Sequence, residues 1–126
     1  MGNYQEGLAV RREVLGADYV ERSMQSADEF TAPLQKLITE YCWGEIWTRD
    51  DLPRATRSLI NIAMMTALNR PQELRLHVRG ALTNGCTVHE IRGVLLQAAV
   101  YCGIPAALDA FRVAGEVIQS PSTEAL

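Results

Sequence analysis

Residues 84–105, NGCTVHEIRGVLLQAAVYCGIP, carry the clearest signals of the fold. Thr87 and Glu90 are spaced as a capping box, in which two side chains satisfy N–H groups at the start of a helix. Apolar residues then recur every three or four positions until Gly103 ends this helix and Pro105 begins another. The stretch therefore predicts two consecutive helices with a very short break.

Similar signals lie immediately before this stretch. Pro71 and Gly85 bound one predicted helix. An earlier helix begins near Pro53, with one of the aspartates at 50 and 51 as its cap, and runs to about Leu68. This earlier helix is apolar on nearly all sides. We therefore expect it to lie in the centre of the core, at an interface between subunits, or in both places.

The N-terminal part is also predicted to be helical. A polar helix runs from about Tyr4 to Leu15 and ends at Gly16. A short turn over residues 18–23 leads to a second amphipathic helix that starts near Asp28. Apolar and aromatic residues recur along that helix at helical spacing.

The composition is typical of one small folded domain. The chain has 126 residues, of which 48% are hydrophobic and 21% charged, and the formal net charge is −3. These values are typical of a globular protein and argue against a nucleic-acid partner. We expect an all-α, single-domain bundle of about six to seven helices over residues 1–126, with a frayed tail from about Ser120.

No segment predicts export or insertion into a membrane. The N-terminus lacks a basic and apolar leader, and no apolar run reaches the roughly 18 residues of a spanning helix. Cys42, Cys86 and Cys102 form neither a metal-ligand pattern nor a redox pair. Cys42 and Cys102 lie on apolar helix faces, whereas Cys86 follows a turn and is expected to be more exposed. The interpretation is a cytoplasmic protein without a metal site or membrane partner.

A carboxylate and an imidazole are paired on the helix that Pro71 begins. Glu73 and His77 are four residues apart, so their side chains meet on one face, and Arg70 lies one further turn back. A partly buried imidazole beside a carboxylate can transfer protons near neutral pH. Such a pair also occurs simply as a surface contact that stabilises a helix, and its spacing alone favours that alternative.

Both tryptophans of the chain lie close to one carboxylate. Trp43 and Trp47 flank Glu45, and Arg49 and Arg57 follow. The aromatic rings could wall a pocket into which Glu45 points, with the arginines holding an anion. The more common alternative is that the rings anchor the core and the arginines face solvent.

Several blocks resemble the carboxymuconolactone decarboxylase family. They comprise residues 41–47, 57–70, 77–85 and 90–106, within a similarity that covers about residues 7–118. The resemblance implies an alkyl hydroperoxidase D-like helical fold and an enzyme that uses no cofactor. It also implies a homo-oligomer, expected to be a hexamer.

The wider superfamily includes thiol peroxidases with a Cys-x-x-Cys-x-x-x-His motif. Arg70 and Glu73 occupy the places of the two cysteines, and His77 occupies that of the histidine. Peroxidase chemistry therefore lacks both of its sulfurs. The alternatives are such a thiol-dependent antioxidant enzyme, a non-catalytic helical oligomer, and a related decarboxylase or lactone isomerase with another substrate.

The resemblance implies that γ-carboxymuconolactone loses carbon dioxide to give β-ketoadipate enol-lactone, in the breakdown of aromatic acids such as protocatechuate. This small dicarboxylate lactone carries its own electron sink, because the electrons released can reach the lactone carbonyl through the ring double bond. His77 is the expected general acid, with Glu73 orienting it and raising its pKa, and Glu45 is the second candidate. The candidates for substrate binding are one aromatic and four cationic side chains: Trp43, Arg49, Arg57, Arg70 and Arg79.

Overall fold

A computed structural model describes residues 3–120, and within these residues it contains only helices and their connections. The chain folds as two compact units, Met1–Leu52 and Pro53–Leu126. The predicted all-α class is confirmed, and the assignment of residues 1–126 to one domain stays a prediction. The tail predicted to fray beyond Ser120 lies outside the described residues.

The described part of the first unit consists of α1 Asn3–Leu15, α2 Ala17–Gln25, α3 Ala32–Leu37 and a π-helix, Ile38–Ile46. The predicted first helix is confirmed. The turn predicted over residues 18–23 is wrong, because these residues belong to α2. Gly16 adopts a φ of 95°, a conformation that favours glycine, so the chain changes direction within one residue.

The helix predicted from Asp28 begins later than expected. Asp28 and Thr31 form a turn in which the Thr31 N–H donates to Asp28 Oδ1 at 2.9 Å, and α3 starts at the next residue. From Ile38 the helix continues as a π-helix, a form that sequence periodicity did not indicate. The predicted apolar stripe is exposed along most of its length: Phe30, Leu34, Leu37 and Tyr41.

α1 and the π-helix pack closely at two glycines. A Cβ atom added to Gly7 would collide with the carbonyl oxygen of Thr39, and one added to Gly44 would lie 2.5 Å from the carbonyl oxygen of Asn3. Both neighbours are main-chain atoms, which cannot move as a flexible side chain can. The close approach of the two backbones therefore requires glycine at both positions.

The second unit contains α4 Arg54–Leu68, α5 Pro71–Thr83, α6 Val88–Cys102 and α7 Ile104–Gln119. These elements confirm the predicted helices. The predicted aspartate cap of α4 is wrong, because Pro53 occupies the N-cap position. The carboxylate of Asp51 instead accepts a hydrogen bond from Arg49 Nε at 2.8 Å.

The predicted signals at both ends of α6 are confirmed. Thr87 Oγ1 accepts from the Glu90 N–H at 3.0 Å, and Glu90 Oε1 accepts from the Thr87 N–H at 2.8 Å. Gly103 ends the helix with a φ of 103°. All four helices of the unit contribute to one core, whose buried residues are Ile62, Leu74, Val78, Ala81, Cys86, Ile91, Leu95, Ala110, Val113, Ala114 and Val117.

α4 buries one face and exposes another. Ile62 is fully buried in the core, whereas Ile60, Met64 and Leu68 are exposed along one side of the helix. None of the described helices combines the length and apolar character needed to cross a lipid bilayer.

Two cysteine predictions are wrong. Cys86 is buried, and its Sγ lies 3.3 Å from the carbonyl oxygen of Ala55, whereas Cys102 is exposed. Gly85, with a φ of 93°, redirects the chain after α5 so that Cys86 joins the core. The last core residue of α6 is Ala98, so the following turn of this helix reaches the surface.

Candidate active site

His77 lies on α5 beside the helix face that enters the core. Leu74, Val78 and Ala81 form that buried face, and the imidazole at its edge is half-buried. Glu73, one turn earlier, is exposed. The structure thus places the predicted pair at the border between core and solvent, where a ring can be both desolvated and accessible.

Asn61 of α4 contacts this imidazole. Asn61 Nδ2 lies 3.4 Å from His77 Nδ1, a long hydrogen-bonding contact between two half-buried side chains. The contact joins positions 16 residues apart on two helices, so the spacing of residues within one helix could not predict it. One local signal was the polar amide of Asn61 between two isoleucines of α4.

Burial and charge act on the pKa of His77 in opposite directions. Desolvation lowers the pKa below the usual 6.5, and the smaller influence of the Glu73 carboxylate raises it. The predicted effect of Glu73 on the pKa of His77 is therefore correct in sign, but it is smaller than the effect of burial, which sequence spacing did not indicate. Water screens the charge of the exposed Glu73 carboxylate, whereas burial of the ring directly destabilises its charged form.

The predicted arginines of the second unit differ in their surroundings. Arg79 is buried and donates from one terminal nitrogen to the carbonyl oxygens of Val117 and Ser120, at 3.2 and 2.9 Å. These contacts satisfy the end of α7 and give Arg79 a structural role, while its predicted contact with the substrate stays a prediction. Arg57 lies half-buried one turn before Asn61 on α4.

Arg70 is more exposed than Arg57 and Arg79, the other two candidate arginines of the second unit. It is exposed and immediately precedes the helix. Among residues 3–120, no acidic side chain forms an ion pair with it. Arg70 is consequently the candidate arginine best placed to receive a carboxylate from solution.

The candidates of the first unit separate into core and surface residues. Trp43 and Trp47 are buried, with ring centroids 4.7 Å apart, so the interpretation as core anchors is favoured over a pocket wall. Glu45 is exposed and lines a cavity of about 170 Å³ with Glu40 and Tyr41. Arg49 forms an exposed ion pair with Asp51 at 2.8 Å.

An apolar cavity of the second unit lies elsewhere. It has a volume of about 330 Å³ and is lined mainly by apolar groups of α4 and α6, including Leu59, Ile60, Ala63, Val94 and Tyr101. Neither His77 nor an arginine lines it. A dicarboxylate needs cationic or hydrogen-bonding partners when it loses water, so this cavity is a poor candidate for binding one.

The described residues suggest no alternative metal or thiol site. Within residues 3–120, no three His, Cys, Asp or Glu side chains are grouped so that they could hold a metal ion. The positions at which the family resemblance would place the two cysteines of a thiol peroxidase are occupied by Arg70 and Glu73. The chemistry that remains for the described site is that of an imidazole, carboxylates and guanidinium groups.

The chain belongs to the carboxymuconolactone decarboxylase family, whose match covers residues 32–116. It is similar to a 4-carboxymuconolactone decarboxylase from Acinetobacter baylyi, with 43% identity over 92% of this chain and 87% of that protein. It is also similar to a nitrosuccinic acid decarboxylase from Metarhizium robertsii, with 45% identity over 91% of this chain and 80% of the relative. An uncharacterized 15.0 kDa protein of Paracoccus denitrificans is 31% identical, over 80% of this chain and 77% of its own length. The predicted family is confirmed.

Proposed function

We propose that this chain is a cofactor-free carboxy-lyase that converts γ-carboxymuconolactone to β-ketoadipate enol-lactone and carbon dioxide. The main support is its 43% identity to a 4-carboxymuconolactone decarboxylase over 92% of the chain. The half-buried His77 beside Glu73 and Asn61 offers this reaction a polar group at the edge of the core. The reaction belongs to the breakdown of protocatechuate.

The two decarboxylases among the relatives suggest a shared substrate chemistry. In γ-carboxymuconolactone, the electrons of the broken carbon–carbon bond can flow through the ring double bond to the lactone carbonyl. In nitrosuccinic acid, the carboxylate on the carbon that bears the nitro group can release its electrons into that group. Each substrate thus provides its own electron sink and retains a second carboxylate. We infer that the enzyme acts on activated dicarboxylates of this kind.

The protein must provide three functional groups for this reaction. The retained carboxylate needs a cationic partner, for which Arg70 is the leading candidate and Arg57 the next. The oxygen that gains negative charge needs a hydrogen-bond donor in a site shielded from water. The carbanion also needs a proton, for which the sequence suggests His77 as the general acid and the exposed Glu45 as the second candidate, and which water supplies if His77 stays neutral.

Purified protein should release carbon dioxide from freshly generated γ-carboxymuconolactone and form the enol-lactone in equal amount. Nitrosuccinate should be tested in parallel, because the relative named for that substrate is equally similar. The activity should persist after treatment with a chelator, since no described residue cluster could hold a metal. Turnover of nitrosuccinate alone would support a decarboxylase but contradict the proposed substrate, and turnover of neither would contradict the proposal.

We also propose that the protein is a cytoplasmic homo-oligomer, with a hexamer as the expected assembly. The exposed row of Ile60, Met64 and Leu68 on α4 supports self-association, because apolar side chains in a row favour burial against a partner. The cytoplasmic location is supported by three cysteines that do not form a disulfide pattern.

A further inference from the structure

The contact between Asn61 and His77 indicates which nitrogen of the ring carries the proton. Asn61 presents its amide nitrogen, a hydrogen-bond donor, to Nδ1 at 3.4 Å. A neutral imidazole has one donor and one acceptor nitrogen, so Nδ1 must accept in this contact. The proton of the neutral ring consequently lies on Nε2, on the opposite edge of the ring.

This arrangement suits a neutral donor better than an imidazolium acid. In an imidazolium both ring nitrogens donate, so the Asn61 amide would have to turn and present its oxygen to Nδ1. A neutral imidazole can itself stabilise an oxygen that gains negative charge, through its remaining N–H group. The Asn61 amide and the half-burial of the ring both favour that neutral form.

We propose that Asn61 is a positioning residue that holds His77 as the Nε2–H tautomer, and that Nε2–H stabilises the substrate oxygen on which negative charge develops. This inference rests on the proposed decarboxylation. The bond to the departing carboxylate breaks, and its electron pair moves to the lactone carbonyl oxygen, which accepts a hydrogen bond from Nε2–H. A proton from water then adds to the carbon next to the carbonyl, and the carbonyl double bond forms again.

Among the groups around α5, Asn61 is the one whose contact with the ring bears on the tautomer of His77. Glu73 is the carboxylate whose charge acts on the ring, and it does so from the exposed side of the same helix. On α4, the half-buried Arg57 lies one turn before Asn61. Charged groups on the other packed helices are engaged in contacts of their own, in the pairs Arg75–Glu116, Asp109–Arg112, His89–Arg92 and Thr87–Glu90.

Nuclear magnetic resonance of protein labelled with ¹⁵N-histidine tests the tautomer without substrate. The chain has only two histidines, and a His89→Gln variant assigns the signals. We expect the Nε2–H form of His77 in the unaltered protein and in Asn84→Ala, a matched control. Asn84 also links α4 and α5, through a 2.9 Å hydrogen bond to Ser58. Asn61→Leu should lower the fraction of the Nε2–H form, and Asn61→Asp should favour a proton on Nδ1 and raise the pKa of His77.

The pH dependence of turnover tests the role of that tautomer. The unaltered enzyme and Asn84→Ala should keep a constant turnover number between about pH 7 and 8.5, whereas an imidazolium acid would lose roughly tenfold per pH unit above its pKa. In Asn61→Asp, turnover should fall as the pH rises, because deprotonation then removes the proton from Nε2. A resting Nδ1–H tautomer, or an unchanged ring spectrum in Asn61→Leu, would overturn the inference. The expected spectra without any decarboxylation would support the Asn61 contact and count against the proposed function instead.

Discussion

Among single residues, His77 has the clearest expected effect on turnover. Its replacement by alanine removes the donor proposed for the developing oxyanion, and the loss of such a donor typically costs about 10²–10³-fold in turnover. His77→Gln keeps an N–H donor at a similar reach and should retain more activity than His77→Ala. The apparent substrate affinity should change less, because the cationic partners of the carboxylate remain. Steady-state kinetics on variants with native circular dichroism would measure this, and equal activity of all three proteins would contradict it.

Glu73 should affect the pKa of His77 more than the chemical step. Its carboxylate raises the pKa of the ring, so Glu73→Gln should move the folded-state pKa further below the usual value of 6.5. The neutral ring then persists to a lower pH, and turnover near pH 7 should stay within a few-fold. Titration by nuclear magnetic resonance measures the change. Glu116→Gln, which removes an exposed carboxylate paired with Arg75, should leave the ring unaffected. An increase in the pKa in Glu73→Gln would contradict the assignment.

The sequence identified His77 and Glu73 but not the whole environment of the ring. Their four-residue spacing on one helix is local information, which a sequence displays directly. The contact with Asn61 joins two helices, and the net direction of the pKa depends on burial by the folded chain. The structural contacts of Arg79 were not predicted for the same reason, because its carbonyl partners lie about 40 residues later, at the end of α7.

At the scale of elements, the prediction succeeded where the chain carries local start and stop signals. Pro71, the Thr87 capping box and Gly103 bound their helices as expected. The prediction failed at α2 and at the π-helix, because no local start or stop signal in the sequence marks either element. The π-helix packs against α1 through Gly7 and Gly44, and such a long-range backbone contact leaves no periodicity in the sequence.

The crossing of α1 and the π-helix makes Gly44 sensitive to substitution. Gly44→Ala would place a Cβ atom 2.5 Å from the main-chain oxygen of Asn3, so the backbone must shift. Overpacking of this kind costs about 1–3 kcal/mol. Gly93→Ala is the matched control, because its Cβ would meet nothing within 4 Å on α6, and alanine there should stabilise the helix by up to about 1 kcal/mol. Urea unfolding followed by circular dichroism would compare them, and equal stability of the two variants would contradict the packing argument.

For the whole molecule, the exposed row on α4 predicts self-association. Light scattering should give a mass several times the 14.0 kDa of one chain. Met64→Lys places a charge in the middle of the apolar row and should shift the protein toward smaller species. Thr83→Lys, at an exposed polar position on α5, should leave the mass unchanged. A monomeric mass for the unaltered protein at micromolar concentration would contradict the proposed assembly.

The family of the molecule could be predicted from its sequence, whereas its substrate could not be chosen from residue types alone. Relatives at 43% and 45% identity bear the names of different decarboxylases. Both reactions need an anion holder and a donor for developing negative charge, and the same imidazole and guanidinium groups could serve either one. The distinction depends on the shape of the site around the ring or nitro group, which side-chain chemistry does not specify.

The most direct test of the central claim is the reaction of γ-carboxymuconolactone with the purified protein in deuterated water. The proposed mechanism predicts one molecule of carbon dioxide per molecule of enol-lactone, with a single deuterium on the ring carbon next to the lactone carbonyl. Mass spectrometry and proton magnetic resonance would measure both products, and His77→Ala would show whether the rate depends on the proposed site. Decarboxylation no faster than in buffer, or an enol-lactone that carries no deuterium at that carbon, would contradict the account.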